Sequence, residues 1–266
     1  MSSILFLFLA HLGIGIAATL LLVARDAGVQ FFRFNAGLGA VLLLIALSVR
    51  PEAQAGVPSS GIGFALFITA TGALLIYWAT VGRVLARFRP VLLWVTVVGG
   101  VGALVAQAMS WSAIAMGPSA ALTIASFVSS AALLGGSCTA MILGHWYLVL
   151  PSMDVSLLQR MVKFHVGSTI ARIVVVGAVI AAALANWQSP GGAGFERYVL
   201  SIEGIFFWQR LLFGLLAPAV LAYLTWETAK IQSTQSATGI LYVNFFTVIV
   251  GEVLAKYLLV LQRVPL

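Results

Sequence analysis

The residues best suited to chemistry are the polar groups that interrupt long apolar runs, because an intramembrane polar group is costly and is retained for a reason. His11 stands in Leu9-Ala10-His11-Leu12-Gly13, about two turns into the first run. A neutral imidazole there can bond a quinol hydroxyl and accept its proton, since histidine titrates near neutral pH. It can equally serve as a helix–helix hydrogen bond. Glu252 and Lys256 are four residues apart, on one helical face, so they can pair. Such a pair is either structural or a station in a proton path. Glu227, beside Lys230 and closer to water, is either an interfacial residue or the mouth of that path. Gln107, Arg172 and Asn244 complete the set.

His145 and His165 flank one short connection. Two histidines so placed can ligate a b-type haem, with Arg160, Lys163 or Arg172 reaching its propionates. Against this, Gly144-His145-Trp146-Tyr147 has the look of an aromatic belt at the membrane surface. No hydrolytic His/Asp/Ser constellation and no phosphate loop is visible. The single cysteine, Cys138, rules out an internal disulfide and offers no iron–sulfur or zinc ligation. No metal site is therefore expected.

The elements that position these residues follow from composition. The 266 residues are 62% hydrophobic and only 8% charged, where soluble domains carry roughly 25% charge. Lipid is the solvent that makes this reasonable. The apolar runs are about 20 residues long and do not alternate, which predicts helices rather than a barrel. Eight spans are expected, at about 3–24, 33–49, 62–81, 90–109, 120–149, 162–185, 206–226 and 237–261. The fifth is long enough to be tilted, kinked at Gly135-Gly136, or to extend past the membrane. The first continues too far, without a basic leader, for a cleaved signal peptide. The fold class is thus an all-α integral membrane protein in one polytopic domain. Four helices on either side of the connection 111–119 allow two four-helix bundles.

The formal net charge of +7 sits mostly in short loops, which points to topology and anionic lipid headgroups rather than nucleic acid. Arg25, Arg33, Arg83, Arg87, Arg89, Arg160, Lys163 and Lys230 fall in or beside the odd-numbered loops. The positive-inside rule then puts those loops in the cytoplasm and both termini outside, in a bacterial cytoplasmic membrane.

Three stretches resemble the quinone-reactive membrane subunits of the polysulfide reductase/NrfD and DmsC-like group. They are the opening hairpin, with Phe6–Gly15 followed by Ala36–Leu47, the segment Phe213-Gly214-Leu215-Leu216-Ala217-Pro218, and Gly251-Glu252-Val253-Leu254-Ala255-Lys256-Tyr257. The resemblance implies two four-helix bundles without haem, and quinol near the outer face with His11 toward it. Lys256 stands where that family usually has arginine, and Gly144–Tyr147 has no counterpart in it.

The function expected on these grounds is a membrane anchor that binds quinone or menaquinone and exchanges electrons with an iron–sulfur or cytochrome partner subunit. Two other classes remain open. One is a proton-coupled or small-solute transporter using Gln107, Glu252 and Lys256. The other is a structural or b-haem-binding subunit of a respiratory or photosynthetic assembly.

Overall fold

The computed structural model describes residues 1–50, 61–82, 87–115, 117–150, 154–186 and 194–266. Eight of its helices are long and apolar enough to cross a membrane. They are α1 (Ser2–Thr19), α2 (Gly28–Ser48), α3 (Gly61–Thr80), α4 (Arg89–Ser112), α5 (Ala120–Val149), α6 (Ser156–Asn186), α7 (Ile205–Lys230) and α8 (Thr234–Gln262). The chain is an all-α membrane protein. Apolar side chains face outward where a soluble protein would carry charge: Val98, Val174 and Phe246 are each 65% exposed. In lipid these faces are solvated.

The helices contact one another as two rings. In the first, α1 touches α2, α2 touches α3, α3 touches α4, and α4 returns to α1. In the second, α5 touches α6, α6 touches α7, α7 touches α8, and α8 returns to α5. These are the two four-helix bundles, and they share a seam in which α1 lies against α5. Two glycines make that seam. A Cβ on Gly15 would overlap the Ala131 carbonyl, and one on Gly135 would overlap the Gly15 backbone. Without a hydrophobic drive between helices in lipid, such close backbone approach supplies much of the packing. α5 is the inner member of the whole assembly, with 83% of its most apolar window buried.

Several boundaries differ from expectation. α1 ends at Thr19, and a short 3-10 turn, Arg25–Ala27, leads into α2. α6 begins at Ser156, six residues before the first residue expected, so Arg172 lies near its middle. α5 runs through Gly135-Gly136 as one continuous helix. Both glycines are packing contacts, Gly136 against Phe164 and Ser168. The irregular turn lies instead in α7, where Leu212–Leu216 forms a π-helical turn just before Pro218. A short helix, Phe195–Val199, precedes α7. The residues 51–60 and 187–193, within the second-to-third and sixth-to-seventh connections, lie outside the described residues.

Candidate functional site

Four charged side chains stand in the interiors of the spans: Arg172 on α6, Arg210 on α7, and Glu252 and Lys256 on α8. They converge on one place. Arg172 approaches Glu252 side-on, Nε to Oε1 at 3.0 Å and Nη2 to Oε2 at 3.1 Å. This two-point geometry is the strong form of the guanidinium–carboxylate pair. Arg210 Nη2 donates to the same Oε1 at 2.9 Å. Lys256 Nζ lies 3.4 Å from Oε2. The side chains of Arg172, Arg210 and Glu252 are 0% exposed.

α5 lines this cluster with hydroxyls. Ser126 and Ser129 accept from Arg172 Nη1, which also reaches the Ser126 main-chain oxygen. Arg172 Nη2 donates further to the Leu266 main-chain oxygen at 2.8 Å. Ser130 is the hub. Its hydroxyl donates to Glu252 Oε2 at 2.5 Å and accepts from Lys256 Nζ at 2.6 Å. His11 Nδ1 meets the same oxygen at 3.0 Å.

The hydrogen count at Ser130 sets the tautomer of His11. A serine hydroxyl has one proton to give, and here it goes to Glu252. His11 Nδ1 must therefore be the donor, which leaves Nε2 as the lone-pair nitrogen of the neutral ring. Nε2 is buried and has no hydrogen-bond partner. The ring lies 4.9 Å from that of Phe127.

Backbone chemistry explains how α7 brings Arg210 in. Gly214 of the π-helical turn crosses Gly251 of α8, and a Cβ on Gly214 would lie 2.7 Å from the Gly251 Cα. The same Cβ would overlap Arg210 Nη1. Both glycines thus make room for the guanidinium and for close approach of two helices. Wider turns of this kind recur at functional positions. The two stretches Phe213–Pro218 and Gly251–Tyr257, far apart in sequence, meet here.

The expected residues divide accordingly. His11, Glu252 and Lys256 are brought together, and the Glu252–Lys256 pair forms as its spacing predicts. His11 lies near the middle of α1 and is 0% exposed, deeper than an outer-surface position. Glu227 does not join the cluster. It pairs with Lys230 at 2.7 Å, both nearly half-exposed. Gln107 stays apart on α4, its Oε1 buried without a partner. His145 and His165 go to different environments. His145 is exposed, with Tyr242 Oη 2.9 Å from Nδ1. His165 is fully buried within the protein, and Asn244 Nδ2 donates to its Nε2 at 2.7 Å. Among the described residues no group of three or more His, Cys, Asp or Glu side chains converges as a metal site would.

No family model matches this chain, and no curated protein does.

Arg210 is the residue that sequence reasoning missed, and Arg172, a candidate among the intramembrane polar groups and a possible propionate contact, was not linked to Glu252. Charge balance was the available signal: three cations and one carboxylate in apolar interiors must find one another.

Proposed function

We propose that this chain is the membrane subunit of a quinone-linked redox complex, in which His11, oriented by Ser130, accepts a quinol proton. The single observation that supports this is the orphan His11 Nε2, a lone pair in a buried apolar place, held in that tautomer by the bond from Nδ1 to Ser130. A quinol hydroxyl has the donor that this nitrogen lacks. The residues fit such a group on that ground, although the ring's full burial means a headgroup reaches it only when neighbours such as Phe127 give way.

Bound quinol supplies two electrons and two protons. The chain's own part is to orient and receive a proton. Ser130 fixes the ring, and Glu252, held in place by Arg172 and Arg210, is the one group of the cluster whose charge favours a proton on that ring. Electrons would pass to an iron–sulfur or cytochrome partner subunit. The orientation proposed from the loops puts both termini outside.

Turnover of the complex purified from its native membrane is the test. His11→Ala should lower quinol-dependent turnover by about 10²-fold or more, the usual scale for a lost general base. Folding should change little, because one interhelical hydrogen bond in lipid contributes about 0.6 kcal/mol. His145→Ala, exposed and remote from the cluster, should keep quinol turnover. Full turnover in His11→Ala, or a purified chain that binds neither quinone nor any redox partner, overturns the proposal.

A further inference from the structure

The first bundle ends unevenly. α1 stops at Thr19, and residues 20–24 leave the helix before the turn Arg25–Ala27. At about 1.5 Å per residue its 18 residues span about 27 Å, while the 24 of α4 span about 36 Å. The hydrocarbon core of a bilayer is about 30 Å thick. The chain after Thr19 fills the missing turn only in part. A cavity of about 360 Å³ remains where α1 and α3 finish and α2 and α4 begin. That size is within the roughly 300–1,000 Å³ of small-molecule sites.

Leu21 and Val23 line the cavity after α1, Val29 and Phe32 on α2, Val81 after α3, and Leu93 on α4. Among the described residues one charged side chain joins them, Arg89, the half-buried first residue of α4. An apolar recess with a guanidinium on its wall suits an amphiphile with an acidic head. Phosphate is the head that arginine matches best, through two parallel donors. The surroundings have the same sign. Residues 20–33 and 80–93 hold Arg25, Arg33, Arg83, Arg87 and Arg89 against one acid, Asp26. Basic residues beside a membrane surface attract anionic lipid.

We propose that this cavity holds one anionic phospholipid, with part of an acyl chain in the apolar recess and the phosphate on Arg89. Seated there, the lipid takes the place of the turn that α1 lacks and ties four helix ends together. A zwitterionic lipid has the chain but brings a cation toward the arginines. A soluble phosphate has the charge but leaves the recess unfilled. The inference stands on the cavity and its lining, and holds whether or not the chain handles quinol.

The test titrates the full-length chain, delipidated in detergent, with phosphatidylglycerol and with phosphatidylcholine of the same acyl chains, and counts bound lipids by native mass spectrometry. One phosphatidylglycerol per chain should bind about fivefold or more tighter than phosphatidylcholine, the scale of one basic residue at an anionic headgroup. Arg89→Gln should bring the two lipids level, while Arg160→Gln, exposed and outside the cavity, should keep the preference. Leu21→Trp, which fills the recess, should lose the tight lipid and keep its helical content. Glycerol phosphate should not compete. Equal binding of the two lipids by the unmodified chain, an unchanged preference in Arg89→Gln, or a retained tight lipid in Leu21→Trp overturns the inference. Competition by glycerol phosphate would make this a site for soluble phosphate, and overturns the lipid as occupant. If Arg89→Gln does not fold, the preference of the unmodified chain and the Leu21→Trp result still decide. Neither quinol nor a partner is present, so the result is separate from that of the turnover test.

Discussion

Two carboxylates of the same type have opposite roles at the two ends of one helical hairpin. Glu252 accepts from Arg172, Arg210, Lys256 and Ser130, all out of water. Removing it leaves three cations without their counter-charge, and breaking a buried pair from one side costs about 3–5 kcal/mol. Glu227, nearly half-exposed beside Lys230, belongs to the class worth about 0–1 kcal/mol. Glu252→Ala should therefore cut yield and melting temperature sharply, while Glu227→Ala should leave both near the parent values. Equal effects on thermal melting would contradict this ranking. Of the site itself, the Glu252–Lys256 pair was readable because it is local, four residues on one helix. The contacts of Glu252 with Arg172 and Arg210 were not, because 80 and 42 residues separate the partners and no local period links them.

At the scale of elements, the glycines matter more than the apolar residues around them. Turn after turn of Leu, Val and Ala looks alike along every span, so helix number and approximate limits follow from composition. Which faces meet does not. Gly15 and Gly135 decide it for α1 and α5, and this contact is what holds His11 against Ser130. Gly135→Val should force the two helices apart, cost about 1–3 kcal/mol as overpacking does, and weaken quinol turnover along with stability. Gly167→Ala is the control: nothing lies within 4 Å of the added carbon, and the change should stay within about 0.5 kcal/mol. Thermal melts of the two variants in the same detergent make the comparison. Gly135 and Gly136 both sit at close contacts, since glycine marks close approach as often as flexibility. The π-helical turn of α7 had no sequence signal beyond Pro218, since proline within a helix announces disturbance without its form.

For the whole molecule, the two bundles meet along α1 and α5, and the polar cluster lies on the α5 side of that seam. The direction in which the assembly sits in the bilayer rests on loop charge alone. In a Cys138→Ser background, Asp154→Cys lies in the connection between α5 and α6 and Glu196→Cys in that between α6 and α7, both exposed. A membrane-impermeant maleimide on intact cells should label Glu196→Cys at once and Asp154→Cys only after lysis. The reverse pattern would invert the orientation and move the His11 side of the cluster to face the other compartment.

The turn Leu212–Leu216 sets the phase of α7. A loop closed from i to i+5 holds one residue more than the ordinary α loop, and each residue of an α-helix advances the side chain by about 100°. A chain one residue shorter at this point, wound as plain helix, would still cross the bilayer with the same apolar length. Its lower half would keep its contacts, but Arg210 would be swung by about 100° toward lipid. A single codon lost between Arg210 and Pro218 would thus empty the cluster of a charge while altering no residue in it, so a comparison of related chains here has to count residues as well as match them.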